Sequence, residues 1–287
     1  MKSNIVRKKI FGNLKRNTSY FVSYLVLLVS SLISLIPILW IWLASFKSGL
    51  EIATNPLGIP RVWHFDQLVK AWNEANFSVL TINSVVVALP TVFFILFLAS
   101  LAAYAFTTFK FKGKNAIFFY FLAGMTIPLE IIIVPLFYEL LKLKLLDTYW
   151  AMILPQVALT LPFGIFLLRG FMEEIPKSII DAARIDGCSE FRVFFNIVLP
   201  ITRPSLATLG VFSFLWCWNT FLLPYIVVRN DDLRTVQAGL AIFQGKYNTN
   251  IALVAAGATI VSIPIIIVYI LLQKQFIKGI TAGAVKE

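Results

Sequence analysis

The sequence has 287 residues, of which 59% are hydrophobic and only 14% are charged, and its mean hydropathy is +0.84. A water-soluble globular domain is excluded, because such domains carry about 25% charged residues and this chain lacks the polar side chains to cover its surface. Most of the chain must therefore lie in lipid.

Six apolar stretches are long enough to cross a hydrocarbon layer of about 30 Å, which takes roughly 20 helical residues. The third, residues 115–138, is interrupted by Glu130. Neither half is long enough to cross the membrane alone, so we predict that the two halves together form one crossing. The other five contain no charged residue: 17–46, 75–109, 148–168, 204–228 and 247–273. The sequence therefore predicts an all-α, polytopic membrane protein with six transmembrane helices.

The orientation of these helices follows from the distribution of positive charge. A basic cluster precedes the first crossing, and positively charged flanks resist translocation, so the N-terminus is expected in the cytoplasm. Six crossings then place both termini there, together with 17 of the 25 lysine and arginine residues. The net charge of +11 is spread over four cytoplasmic segments rather than one patch, which argues against nucleic-acid binding.

Proline occurs in every predicted crossing, at positions 37, 90, 128, 135, 155, 162, 224 and 264. Proline frees a backbone carbonyl, which must find a partner inside the protein when the helix is surrounded by lipid. Two interpretations stay open. The helices are kinked walls of a packed bundle or cavity, or they simply tolerate proline as membrane helices generally do.

The loop between the fourth and fifth crossings, residues 173–200, is polar and reads as two short helices. Acidic residues before Pro176 suit a first helical turn, and Gly187 supplies a left-handed stop. Ser189 can cap a second helix that continues through Phe195. This pattern predicts a helix–turn–helix on the cytoplasmic side.

The first helix of this loop has a face that a partner could contact. Ile179, Ile180 and Ala183 share that face, with Ala182 adjacent. A partner backbone could approach such small and apolar residues closely, while charged residues flank the contact. We therefore predict a docking site here.

The spacing of the loop residues resembles the EAA loop of ABC importer permeases. The residues that carry this resemblance are Asp181, Ala182, Ala183, Gly187, Ile197, Leu199 and Pro200. Asp181 stands where the family has glutamate, which shortens the reach of a carboxylate to an arginine of a partner. The resemblance implies the type I importer permease fold, in which this loop docks on a cytoplasmic ATPase and transmits its closure to the membrane helices.

The resemblance runs from residue 36 to the end and is closest to the smaller permease of maltose-type carbohydrate importers. It is also carried by residues 126–136, 218–224 and 276–286. It implies that the tail, with Gly279, Thr281 and Gly283, inserts between two ATPase subunits. The residues themselves predict a short, flexible tail rich in small side chains. The expected organisation is a cytoplasmic segment 1–19, a permease domain 20–277 and a tail 278–287.

No energy-supplying site is visible in the sequence. The segment from Gly239 to Lys246 imitates a phosphate-binding loop, but its spacing is wrong and Tyr247 replaces the required Ser or Thr. Neither the two cysteines nor the single histidine predicts a catalytic or metal site. We therefore expect a transporter subunit rather than an enzyme, without a cofactor of its own.

The resemblance implies the partners that such a subunit needs. These are a second homologous permease, two ATPase subunits that bind ATP, an extracytoplasmic solute-binding protein and a sugar or oligosaccharide cargo, all at the plasma membrane of a prokaryote. Alternatives stay open: an importer of another solute such as glycerol phosphate, a membrane-embedded enzyme, or a secondary transporter or channel. The last is disfavoured because one intramembrane acid makes a poor ion relay.

Candidate pathway residues are the intramembrane acid and a polar–aromatic group in the fifth crossing. Glu130 either lines the pathway, bonds a neighbouring helix or lies shallow beside a proline break. Aromatic faces suit sugar C–H surfaces and amides suit hydroxyls, whereas tryptophan near a membrane boundary is often an anchor. The group in the fifth crossing consists of Trp216, Trp218, Asn219 and Tyr225.

Overall fold

The computed structural model describes residues 2–243 and 250–284, and the side chains within 20–243 and 250–273. Throughout those residues the regular structure is helical, as predicted. Four helices are each long and apolar enough to cross a membrane. They are α1 (Lys2–Ala44), α4 (Phe77–Thr108), α7 (Tyr149–Glu173) and α14 (Ile251–Ala284).

The third predicted crossing is two helices rather than one. α5 (Lys114–Gly124) and α6 (Leu129–Lys142) meet at an angle of 96°. The break falls at Pro128, whose extended backbone (φ −72°, ψ 145°) precedes α6. Proline disfavours helical geometry in the residue before it, so the chain turns here instead of continuing α5.

The bent pair nevertheless runs the whole way across the bundle. Near the start of α5, the Phe118 ring lies under the guanidinium of Arg169, which is close to the end of α7, with 3.9 Å to the ring centroid. The last residue of α5, Gly124, faces Pro162 in the middle of α7. The chain after α6 then reaches the start of α7. By length and composition the described residues hold four spanning helices, or six if this pair and a second bent pair, Glu190–Ile201 with Arg203–Asn219, each count as one span.

The fifth crossing is also interrupted. α11 (Arg203–Asn219) ends at Thr220, and the shorter α12 (Leu222–Val227) follows. At its other end α11 is bent by 76° from the helical segment Glu190–Ile201. The remaining helices are short: α2 (Gly49–Thr54), α3 (Asp66–Glu74), α8 (Lys177–Ile185), α9 (Glu190–Val193), a π turn (Phe194–Val198), α10 (Leu199–Ile201) and α13 (Val236–Gly239), with 3₁₀ turns at Asp231–Leu233 and Leu240–Phe243.

The centre of the bundle is formed by α4, α7 and α11. Gly164 of α7 lets this helix approach α4 closely, since a Cβ there would lie 2.9 Å from the Cβ of Ala99 and 3.2 Å from Leu209 of α11. α4 and α7 run in the same direction and are closely packed along their length. We call the end where both begin the loop end, and the end where both finish, roughly 37 Å away along the 25 residues of α7, the hairpin end.

α1 lies at the periphery of the molecule. Its described side chains from Tyr20 to Leu39 are all exposed. Only near its end, at Ala44, does it join a small buried cluster with Ile52, Ala252 and Ala255. This helix therefore offers a long apolar surface to lipid or to a neighbouring chain.

α14 differs from the prediction at both ends. The predicted start at Tyr247 lies outside the described residues, and the helix begins at Ile251. Its backbone stays helical through Gly279, Thr281 and Gly283, where the sequence predicted a flexible tail, and it ends at Ala284. The side chains of this tail and residues 285–287 lie outside the described part.

Candidate functional site

The loop predicted as helix–turn–helix has that form. α8 follows Pro176, whose extended backbone precedes the helix, and Gly187 adopts the expected left-handed geometry, with φ +76°. The Ser189 hydroxyl accepts a hydrogen bond from the backbone N–H of Arg192 at 3.4 Å, which caps α9. We call residues 173–200 the hairpin.

The second helix of the hairpin is longer than predicted. It continues beyond Phe195 to Ile201 and widens into the π turn, where the N–H of Leu199 bonds the carbonyl of Phe194 five residues earlier. A π turn accommodates one extra residue within a helix. The hairpin is thereby continuous with the approach to α11.

One face of the hairpin is buried within this chain. Ile180 and Ala183 retain only 9% and 7% of their exposure, and Val193, Phe194 and Val198 join them in the core. The sequence predicts Ile180 and Ala183 on a face that is open to a partner. They instead hold the hairpin to the bundle, because an amphipathic helix buries its apolar stripe against the nearest core.

The opposite face of the hairpin exposes large apolar side chains. Ile185 is 86% and Phe191 74% exposed, while Ala182 and Gly187 are also exposed. Ile197, Leu199 and Pro200 are half-buried where the hairpin meets the membrane helices. Large apolar side chains on a polar surface segment are typical of a contact with another protein.

A polar link joins the hairpin to α4. The Tyr104 hydroxyl donates to Glu190 Oε2 at 2.7 Å, and Arg184 Nε donates to Glu190 Oε1 at 2.8 Å. Arg184 also pairs with Asp181 at 3.3 Å. Glu190 raises the pKa of Arg184, chiefly through this hydrogen bond. The three charged groups are thus held together with one residue of the long helix.

This link bears on the role of Asp181. Its carboxylate contacts Arg184 in its own helix, yet 62% of its side chain remains exposed. The sequence indicates only that Asp181, which is shorter than the family's glutamate, reaches less far toward an arginine of a partner.

Glu130 lies in the first turn of α6, directly after the break that faces the middle of α7. Its side chain is exposed. Within the described residues its carboxylate takes part in none of the ion pairs or side-chain hydrogen bonds. Glu130 thus lies beside the proline break at Pro128, and within the described residues no neighbouring helix bonds its carboxylate.

The aromatic group of the fifth crossing divides into exposed and buried members. Trp216 is 44% exposed and packs edge-on against Phe163, with ring centroids 4.8 Å apart. Trp218 is buried, and its indole N–H donates to the carbonyl of Val261 at 3.3 Å. Because the Trp218 ring is buried against α14, it has no exposed face that could contact cargo.

The two polar candidates lie beside the break between α11 and α12. Asn219 is exposed, and its amide oxygen accepts a hydrogen bond from Gln237 at 3.3 Å. Tyr225 is 48% exposed and stacks on Phe221, with centroids 5.1 Å apart. Both side chains therefore remain accessible at the loop end of the bundle.

The loop end is fixed by two polar clamps that the sequence did not indicate. Asp147 Oδ1 accepts hydrogen bonds from the backbone N–H groups of Arg229 at 2.6 Å and Asn230 at 3.0 Å, and these bonds lower the pKa of Asp147. Asn83 of α4 donates to the carbonyls of residues 232 and 234 and accepts from the Tyr149 hydroxyl at 2.7 Å. The partners are 66 to 151 residues apart in sequence, so no local pattern reveals them.

Metal chemistry finds no support in the described residues, where His, Cys, Asp and Glu side chains form no group of three or more that could hold an ion. Cys188 and Cys217 are free thiols. The features that can act on other molecules are thus the exposed face of the hairpin, the break beside Glu130 and the clamped loop end.

Comparison with known proteins gives these features a context. A family model described as "binding-protein-dependent transport system inner membrane component" matches residues 95–281. The chain is 34% identical over 264 residues to the diacetylchitobiose uptake system permease protein NgcG of Streptomyces coelicolor, covering 91% of this chain and 87% of that protein. It is 37% identical over 280 residues to the arabinooligosaccharides transport system permease protein AraQ of Halalkalibacterium halodurans, covering 95% and 100%.

A solved structure has a similar fold. A chain of a bacterial ABC transporter involved in the import of the acidic polysaccharide alginate superposes with a TM-score of 0.75 at 23% identity, covering 89% of this chain and 95% of that one. The matched family region contains the hairpin, the bent α5–α6 pair and most of α14. The chain belongs to the family of inner membrane components of binding-protein-dependent transport systems, the permease family that the hairpin spacing predicted.

Proposed function

We propose that this chain is a transmembrane subunit of an ATP-driven importer for a sugar or oligosaccharide, and that it converts ATPase closure into alternating access. The observation that carries the proposal is the hairpin, because it exposes apolar side chains on one face and is fixed to the membrane helices on the other. The carbohydrate class is supported by relatives that are named for diacetylchitobiose and arabinooligosaccharides.

Force applied to the hairpin would reach the helices by two routes. Its buried face packs into the same cluster as α4 and α7, and Glu190 hydrogen-bonds Tyr104 near the end of α4. A packed interface moves as a unit between discrete arrangements instead of deforming continuously. A displacement at Ile185 would therefore shift α4 and α7 together and change which end of the pathway is open.

The proposed assembly contains a second permease, two ATPase subunits that bind the ATP, and an extracytoplasmic solute-binding protein. The last partner is supported by a similar fold solved with an alginate pentasaccharide-bound periplasmic protein, at 15% identity and a TM-score of 0.65. In this assembly both termini and the hairpin end face the cytoplasm of a prokaryotic cell. The tail residues Gly279, Thr281 and Gly283 would lie between the ATPase subunits.

The pathway would pass the break beside Glu130 and the exposed Trp216, Asn219 and Tyr225. A carboxylate at the middle of the bundle accepts hydroxyl hydrogen bonds, and an exposed aromatic ring offers a face to a sugar. Glu130→Gln should then alter the apparent affinity for cargo during uptake without preventing assembly. Unchanged uptake kinetics in both Glu130→Gln and Trp216→Ala would remove these residues from the pathway.

The exposed hairpin face provides the decisive test. Ile185→Asp should abolish copurification of the ATPase and sugar uptake, because it places a charge in the apolar contact while leaving the buried face intact. Leu57→Asp is a matched control, since Leu57 is 84% exposed and lies in the loop that follows α2 near the opposite end. Ala183→Asp is unsuitable because Ala183 is buried. Normal ATPase binding by Ile185→Asp would contradict the proposal.

A further inference from the structure

A cleft at the hairpin end has a net positive lining, and its three lysines take no part in the contacts of the hairpin described above. It has a volume of about 580 Å³ and lies between the end of α4, the end of α7 and α8. Its floor is apolar, with Met172, Ile175 and Ile180 buried. Its rim carries Lys110, Lys114, Lys177 and Arg184, against two carboxylates.

Both of these carboxylates already have cationic partners. Asp181 pairs with Arg184 at 3.3 Å, and Glu173 pairs with Arg169, outside the cleft, at 2.8 Å. Among the described side chains, the ammonium groups of the three lysines on the rim form no ion pair. Lys114 only donates to the backbone carbonyl of Phe109, at 3.3 Å. Three positive charges around one cavity thus lack a counter-charge from the side chains that the structure describes.

A second cavity adjoins the first and extends the positive region. It has a volume of about 380 Å³ and shares Lys110 and Lys114 with the cleft. The rest of its lining comes from the short connection between α4 and α5 and from the first turn of α5. We call the two cavities, which share these two lysines, the basic recess.

The recess lies at the end of a helix long enough to cross a membrane, where the membrane surface is expected. α4 is one of the spanning helices, and it ends at Thr108, immediately before the recess. Exposed Phe109 and Phe111 alternate with Lys110 and Lys112 in the connection. Aromatic rings at the acyl boundary with lysines reaching toward the phosphate layer are typical of an interfacial segment. The expected occupant therefore carries a phosphate at this depth and has an apolar portion beside it.

The geometry points to a binding site for the phosphate headgroup of an anionic phospholipid in this recess, in contact with both the α4–α5 connection and α8. Basic pockets beside spanning helices bind anionic headgroups by electrostatic attraction, and each lysine near an anionic surface contributes a similar amount of binding free energy. The site does not depend on the proposed transport function. Because Lys177 belongs to the hairpin, a phospholipid bound at this site would favour one position of the hairpin over others.

Native mass spectrometry of the purified full-length chain can measure this binding with phosphatidylglycerol and phosphatidylcholine. Wild type should retain phosphatidylglycerol preferentially, and Lys110→Gln/Lys177→Gln should bind it about 30-fold more weakly. Arg192→Gln/Arg203→Gln removes the same charge from exposed positions outside the cleft and should bind as wild type does. Equal weakening in both variants, or no preference between the two lipids, would overturn the proposal.

Two further measurements distinguish a phospholipid from other sources of negative charge. If inorganic phosphate displaces phosphatidylglycerol as effectively as added lipid does, the site holds a free anion and the lipid proposal fails. If the lysine variant retains phosphatidylglycerol but loses a copurifying protein, the recess contacts an acidic protein surface and the proposal also fails. If Lys110→Gln/Lys177→Gln unfolds at a lower temperature than wild type, a second variant decides. Lys110→Arg/Lys177→Arg keeps the charge and must bind phosphatidylglycerol as wild type does.

Discussion

The hydrogen bond from Tyr104 to Glu190 is expected to transmit movement of the hairpin to α4. Tyr104→Phe removes only the donor, whose oxygen lies 2.7 Å from Glu190 Oε2. The ring contacts remain available to phenylalanine, including Phe194 with a centroid distance of 5.3 Å. Arg184 continues to hold Glu190 from the other side. The substitution therefore weakens one connection without emptying a space in the core.

The size of the effect follows from the surroundings of the carboxylate. A hydrogen bond to a charged group contributes about 1.5–3 kcal/mol when water cannot replace it. The Glu190 side chain is 40% exposed, so water can solvate it and the expected loss falls to about 1 kcal/mol. In a chain of this size, that loss corresponds to a fall of about 2–4 °C in the unfolding midpoint.

Two measurements check this expectation. A double-mutant cycle of Tyr104→Phe and Glu190→Ala, followed by thermal unfolding in detergent, should give a coupling free energy near 1 kcal/mol. In the reconstituted importer, Tyr104→Phe should lower the sugar transported per ATP hydrolysed. Tyr120→Phe is the control, because Tyr120 is 79% exposed on α5. Additive single effects together with an unchanged transport ratio would refute the reasoning.

Close packing and the loop-end clamp give two further expectations. Gly164→Ala should destabilise the bundle by about 1–3 kcal/mol, because the new Cβ would lie 2.9 Å from Ala99. Gly170→Ala in the same helix is the control: its Cβ would meet nothing within 4 Å, so it should be neutral or slightly stabilising. If the thermal unfolding midpoints of the two variants fall equally, this packing is excluded. Asp147→Asn should be less stable than wild type at neutral pH. A carboxylate whose folded pKa is depressed stabilises the fold only while it is ionised, so the difference in stability should vanish as the pH falls through the lowered pKa of Asp147. Melting curves between pH 7 and pH 3 measure this difference, and a gap that does not narrow as the pH falls toward 3 would contradict it.

The features predicted correctly from the sequence depend on local chemistry. The length of a charge-free stretch is set by the thickness of the hydrocarbon layer, so the stretches at 75–109 and 148–168 correspond closely to α4 and α7. The hairpin likewise follows from adjacent residues, since Gly187 at φ +76° ends one helix and Ser189 caps the next. These signals need no knowledge of the neighbouring helices.

The features that were missed depend on which helices pack together. Burial of Ala183 and Trp218 is decided by the cores they meet, and the bond from Tyr104 to Glu190 joins residues 86 apart. The bend between α5 and α6 did leave a signal. Pro128 disfavours helical geometry in the preceding residue, although the total apolar length of residues 115–138 favours one continuous crossing.

The π turn at Phe194–Val198 has a consequence for how the hairpin is aimed. It stores one residue more than a regular helix of the same rise. If the same residues were wound as a regular α-helix, everything before the π turn would be rotated by about 100° around the helix axis. Glu190 would then point away from Tyr104, and the exposed Phe191 would face a different direction. The extra residue in the π turn therefore sets the direction in which the hairpin projects from α11.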